Sequence, residues 1–153
     1  MKVARAALFV CLMLLAFPHP ALAFKRIFLT TAGAGTWTVV DDWSSVNTIE
    51  VIGGGGGGAD GGNGIGPGGG GGGAYAAISN FTGLTVGGSW AYQVGDAGAG
   101  VGNGNDGATS TDTFFNRTAG STTMCDQSNF SVCAKGGGGG INAASGPGGS
   151  AGT

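Results

Sequence analysis

Side chains able to do chemistry are scarce in this sequence, and their spacing limits what they could do. The one histidine, His19, lies in the opening segment. Beyond it no imidazole remains for a Ser-His-Asp or Cys-His arrangement or for most catalytic zinc sites. Two carboxylates can together hydrolyse a glycosidic bond, but Asp41 and Asp42 are adjacent and Asp96, Asp106 and Asp112 fall in or beside loops. Nothing in the sequence sets one apart as a general acid, so they read as solvated turn residues. There is no Gly-Lys-Ser/Thr phosphate loop, and Gly33-Ala34-Gly35 opens no helix. Gly102-Asn103-Gly104-Asn105-Asp106-Gly107, and more faintly Asp60-Gly61-Gly62-Asn63-Gly64, have the flavour of a calcium β-roll turn. A β-roll needs its nonapeptide in tandem, which is missing, and Asn and Asp suit such positions because they tolerate left-handed turns. The expectation is a chain with no enzymatic activity, no catalytic residue, no metal and no cofactor.

Binding chemistry is better represented. Trp37, Trp43, Trp90, Tyr75 and Tyr92 have the side chains of a sugar-stacking platform. At strand spacing Trp90 and Tyr92 read as core, whereas Trp43, inside the polar run Asp41-Asp42-Trp43-Ser44-Ser45, reads as an exposed aromatic. With Asp60, Asn63, Asn103, Asn105 and Asp106 it makes up the expected ligand-contacting set. Cys125 and Cys133 enclose seven residues and, in an exported chain, read as a disulfide closing a small loop. Such a loop contributes roughly 2–3 kcal/mol through the unfolded state.

The elements that must position these residues begin after a leader. Lys2 and Arg5 precede an apolar run from Ala6 to Phe17, Pro18-His19-Pro20 breaks it, and Ala21-Leu22-Ala23 has the small-x-small form of a signal cleavage site. Residues 1–23 therefore read as a signal peptide cut between Ala23 and Phe24, and residues 24–153 as one domain. The run falls short of the ~20 residues that span a bilayer, and Cys11 leaves with it. The processed chain has four cations, Lys25, Arg26, Arg117 and Lys135, against eight carboxylates, a net charge of −4. Scattered cations on an acidic surface exclude nucleic acid and stable membrane association as partners. The predicted location is extracellular or on the cell surface, with the periplasm as a variant of the same route.

All 37 glycines lie beyond residue 23. Between the glycine tracts, short alternating blocks predict strands: 26–30 and 36–40 around a turn at Gly33 and Gly35, then 47–52, with Ile49 and Val51 on one face and Thr48 and Glu50 on the other. Further strands are predicted at 74–81, 84–86, 90–94, 111–116 and 129–135. A three-residue bulged loop at Gly87-Gly88-Ser89 would pair Val86 with Trp90 and Leu84 with Tyr92, placing the bulky groups on one face. The tracts 53–58, 61–73, 95–107, 136–140 and the tail from Gly146 read either as flexible loops or as polyproline II helices. Such helices have three residues per turn and, lacking Cβ atoms, could pack side by side through backbone hydrogen bonds. The fold class expected is mainly β: a small antiparallel β-sandwich or jelly-roll-like domain with long glycine-rich loops and packed polyglycine II helices.

The stretches TWTVVDDWSSVNTIEVIGGGGGG (36–58), GGGGGGAYAAISNFTGLTVGGSWAYQVGDAGAG (68–100), DTFFNRTAGS (112–121) and CAKGGGGG (133–140) resemble the glycine-rich domain family of phage tail and tail-fibre proteins and of uncharacterised bacterial proteins. The resemblance covers most of the processed chain. It implies a β-rich module whose glycine loops gather at one end and, at tail tips, a receptor-binding role with no catalytic residues. This chain departs from the family in its leader, its Cys125–Cys133 insert, and its stop at Gly152-Thr153 where family members run on, which makes truncation an expectation. The functional expectation is a secreted or surface-displayed recognition module for a glycan or cell-surface protein. The alternative is a passive, self-associating structural protein of the envelope or matrix.

Overall fold

A computed structural model describes residues 24–61, 66–117, 125, 130–142, 149 and 152. Residues 1–23, expected to form a leader cut after Ala23, and the expected ligand contact Asn63 lie outside the described residues. Phe24, the first described, is 82% exposed.

Short runs rich in β-branched and aromatic residues become strands, and the glycines between them set where each strand stops. Among the described residues there are six: β1 Gly33–Thr38, β2 Thr48–Ile52, β3 Tyr75–Ser79, β4 Ser89–Val94, β5 Thr113–Arg117 and β6 Phe130–Ala134. They form an antiparallel four-stranded sheet ordered β1-β4-β5-β6 and an antiparallel pair β2-β3. The chain is mainly β, as its alternation predicts. Both sheets contribute to one core, with Val39, Val51, Leu84, Phe115, Val132 and Ala134 buried and Trp37, Ile49, Ala76, Ile78, Trp90 and Tyr92 packed around them. Ile49 and Val51 face inward and Thr48 and Glu50 outward, as expected.

Three local expectations fail, the second and third because a distant partner overrides a nearby one. Residues 26–30 join no strand, and their neighbourhood contributes the exposed Ile27 and Phe28. Gly35 lies inside β1, opposite Tyr92, and a Cβ there would come within 2.7 Å of the Tyr92 ring. This glycine makes room for an aromatic across the ladder and does not form a turn. The 84–94 hairpin is also absent: β4 pairs with β1, setting Trp90 opposite Trp37. Residues 85–88 instead close a four-residue turn through Gly88 N to Thr85 O (2.9 Å), with Gly87 at φ +76°. A positive φ at the third position only is the type II pattern that glycine serves. The turn is tied to Val39 by a reciprocal pair of hydrogen bonds, so Leu84 is buried and Val86 is left exposed.

Each strand of the inner region runs directly into a glycine tract. Tract 53–60 follows β2, 68–74 precedes β3, 95–101 follows β4, 105–111 precedes β5 and 135–141 follows β6. The backbone bonds between tracts step by three. Gly53, Gly56 and Ala59 donate to Ala74, Gly71 and Gly68; Gly54, Gly57 and Asp60 donate to Thr111, Ala108 and Asn105. Gly98 and Val101 donate to Gly55 and Gly58, while Gly137 and Gly140 donate to Gly54 and Gly57. Gly149 and Gly152 repeat the step on Gly69 and Gly72. The glycines at positive φ are Gly33, Gly87 and Gly104, all outside these tracts. A period of three at negative φ is polyproline II geometry. The described glycine runs are thus ordered as packed polyglycine helices, with tract 53–60 at the centre, bonded to four others. Residues 62–65 of the expected 61–73 tract and most of the tail from Gly146 lie outside the described residues.

Candidate functional site

The slab resolves into two layers. Tract 53–60 is flanked by 68–74 and 95–101, and beneath it 135–141 bonds to 105–111. Gly149 and Gly152, bonded to 68–74, lie on the other side of 135–141, where a Cβ would come within 1.8 Å of Gly138 O and 2.2 Å of Lys135 O. Inside this packing most glycines have no alternative. A Cβ on Gly56 would lie 1.9 Å from Gly138 O, on Gly57 2.0 Å from Ala99 O, and on Gly139 1.8 Å from Gly107 O. Others are free of that demand. At Gly55 and Gly58 the nearest atom to a built Cβ is 3.9 Å away, at Gly100 it is 3.8 Å, and at Gly69 and Gly72 nothing lies within 4 Å. These five all belong to the 68–74, 53–60 and 95–101 layer, so its surface lacks a Cβ at five positions where the fold does not require glycine, while tract 95–101 also exposes Asp96, Ala97 and Ala99.

At the slab's far end the chain gathers most of the residues expected to contact a ligand. Asp60 N donates to Asn105 O (3.2 Å), and Asn142 N donates to the Asp106 carboxylate (2.6 Å). Asn142 Nδ2 donates to Gly104 O, and Asn105 Nδ2 donates to Gly102 O (2.8 Å). Asn103 (φ 61°) and Gly104 (φ 72°) reverse the chain between tracts 95–101 and 105–111. Asp60, Asn105 and Asp106 are thus brought together, with Asn103 in the adjoining turn; the Asp60 amide and the Asp106 carboxylate fasten tract ends to one another, and the Asn105 side chain closes its own turn. Asn142 was missed by sequence reasoning; an Asn just past a glycine run is the signal that could have marked it.

Trp43 is at the opposite end, in the β1–β2 connection, and is not an exposed aromatic. It is half-buried against the core, edge-on to Trp37 at 5.6 Å between ring centroids. Burying the indole against a second ring recovers more than a polar turn loses by hiding it.

The seam between sheets and slab carries a second feature that the sequence concealed, the run Ser110-Thr111-Asp112-Thr113. The single hydroxyl proton of buried Ser110 is shared between Gly54 O (2.6 Å) and Gly137 O (3.0 Å), joining three tracts. Thr113 Oγ1 donates to Ile52 O and accepts from Gly95 N, and Thr111 Oγ1 accepts from Asp96 N. Asp112 accepts from Gly136 N and Cys125 N, each at 2.8 Å. These side chains supply the hydrogen bonds that the backbone lacks where the strand period of two gives way to three. The Cys125–Cys133 disulfide, with Cα atoms 5.6 Å apart, is present as expected.

On the outer face of β2-β3, Tyr75 donates to the Glu50 carboxylate (3.1 Å) beside exposed Ile52. The hydrogen bond to Glu50, with slight desolvation and the carboxylate charge added, raises the phenol above 10.0. An ultraviolet pH titration should show Tyr75 ionising above the ordinary tyrosine range, and Glu50→Gln should bring it back down. Because the folded state holds this proton more tightly, the linked stability is complete below the unfolded phenol value and is lost as pH rises through the folded one.

No family model matches the chain, and no curated protein or solved structure matches it either. Among the described residues no helix is long and apolar enough to cross a membrane. That absence and the disulfide are compatible with an extracellular location.

Proposed function

We propose that this chain is a non-catalytic, secreted or surface-displayed recognition module that presents its glycine slab to a glycan or cell-surface partner. One observation carries the reading: Gly55, Gly58, Gly69, Gly72 and Gly100 have room for a side chain, yet all are glycine and all lie in one layer. Positions without a Cβ let a partner approach the backbone closely and meet its N–H and C=O groups directly. The far-end turns that fasten the tracts frame that layer, and the sheets hold it rigid. The mechanism is shape complementarity with no covalent step, and rigidity matters because a preformed surface loses less entropy on binding.

The test is saturable binding of the processed protein to a glycan array and to intact cells. Gly69→Asn and Gly72→Asn point into open space and should weaken binding at least tenfold while leaving the melting temperature unchanged. Binding untouched by both substitutions would defeat the reading, as would concentration-dependent self-association with no saturable partner, the behaviour of a structural glycine-rich protein.

A further inference from the structure

The disulfide does not stand alone. Among the described residues, the one cluster of three or more His, Cys, Asp or Glu donors is Asp112, Cys125 and Cys133, whose ligand atoms all lie within 4.8 Å of one another. All three residues are half-buried. They come from three separate places in the fold: Asp112 from the junction of tract 105–111 with β5, Cys133 from β6, and Cys125 from the connection between those strands. The carboxylate is held from behind, with Oδ1 accepting from Gly136 N and Oδ2 from Cys125 N. Each carboxylate oxygen has a second lone pair, so the two backbone bonds orient the group without exhausting it. An outer shell of this kind fixes and strengthens a ligating carboxylate at metal sites.

We infer that reduction of the Cys125–Cys133 bond opens a site for one thiophilic divalent cation of the zinc or cadmium class, held by both thiolates and the Asp112 carboxylate. A dithiol reductant supplies two electrons and two protons to the Sγ–Sγ bond and itself closes to a disulfide, leaving two cysteine thiols. The incoming cation displaces those two protons to solvent and takes the sulfurs as thiolates. Two thiolates and one carboxylate fit the N/S/O preferences of zinc and leave the fourth tetrahedral position open to water. The donor set is anionic, so the cation also relieves the repulsion that would otherwise set two thiolates against Asp112. Disulfide and metal site are then mutually exclusive states of one loop.

Cadmium titration of the full chain carrying Cys11→Ser reads the site through the ultraviolet charge-transfer absorption of cadmium thiolates. After reduction by a phosphine, which leaves no competing thiol, the band should saturate at one equivalent with release of two protons. The oxidised protein should show no band. Asp112→Asn in the reduced state should bind cadmium at least about tenfold more weakly. Should that variant fail to fold, Asp112→Ser, whose hydroxyl still accepts a backbone N–H, carries the same expectation. Equal affinity with and without the carboxylate would overturn the assignment, as would reduced protein that binds cadmium no better than Cys133→Ser.

Discussion

Gly57→Ala is expected to unfold much of the slab, while Gly55→Ala two positions earlier leaves it intact or strengthens it. The two residues share a type, a tract and a backbone conformation, and differ only in what lies beyond the hydrogen that a methyl would replace. At Gly57 the methyl would sit 2.0 Å from Ala99 O and 2.4 Å from its carbonyl carbon. Neither can swing aside as a side-chain tip would, because both are main chain in a tract that is itself bonded on two sides. Relief requires tracts 53–60 and 95–101 to separate by more than an ångström. That movement strains the bonds of Gly57 N to Ala108 O and of Gly140 N to Gly57 O as well. Overpacking alone costs about 1–3 kcal/mol, and each buried amide left unpaired adds about as much again. A loss of about 3–5 kcal/mol is a large share of the roughly 5–15 kcal/mol that holds a domain together.

At Gly55 the sign reverses. Its nearest contact would be Gly71 O at 3.9 Å, an ordinary van der Waals approach, and its φ suits any residue. Alanine there narrows the unfolded ensemble and should stabilise by about 0.4–1 kcal/mol. Urea unfolding of the pair measures both. Equal, small effects at the two positions would mean that the tracts are not packed as described.

The same contrast explains how much of the structure could be read in advance. Tract 136–140 is unbroken glycine, and Gly136, Gly137, Gly139 and Gly140 each have backbone or Ser110 atoms within 2.5 Å of a built Cβ. Tract 95–101 reads Gly-Asp-Ala-Gly-Ala-Gly-Val, and there a Cβ is refused at Gly95 and Gly98 but accommodated at Gly100. An outer helix of the slab needs glycine at one position in three, so the spacing of its non-glycine residues reports how enclosed it is. That signal was present in the sequence, as were the alternation of β2 and the cysteine pair. What could not be read were decisions made between residues far apart. Pairing of β1 with β4 joins residues more than fifty apart and displaced a local hairpin that satisfied every neighbouring preference. Trp43 looked solvent-facing among polar neighbours because the core it packs against is assembled from residues of both sheets, with nearby Trp37 alone giving no sign of it. Ser110 carried no signal, and Thr111 and Thr113 read only as positions of a strand, until their partners, backbone groups of β2 and of three other tracts, were in place.

Hydrogen exchange should expose the slab through a pattern that no other arrangement of glycine produces. In tract 53–60 the amides of Gly56 and Gly57 each have a partner, and that of Gly55 has none; the cycle then returns with Ala59 and Asp60 after Gly58. In tract 68–74 the donors are Gly68, Gly71 and Ala74, again at every third residue. A strand paired on one side would protect alternate amides, and an α-helix would protect every one. Exposed Gly69, Gly72 and Gly100 should exchange close to the rate of unstructured glycine. The bonded amides of Gly56, Gly57, Gly71, Gly137 and Gly140 can exchange only when tracts separate. No tract can leave alone without breaking bonds to at least two neighbours, so opening is shared and its free energy approaches that of global unfolding. With about 5 kcal/mol or more to overcome, protection of three to four orders of magnitude follows. Residue-resolved exchange by NMR would show fast and slow glycines in a three-residue cycle within a single run of identical residues. Uniformly fast exchange across Gly53–Gly58 would mean loops instead of a slab. The face on which recognition depends would then not exist as a surface, since a chain that samples many conformations has no fixed backbone to offer a partner.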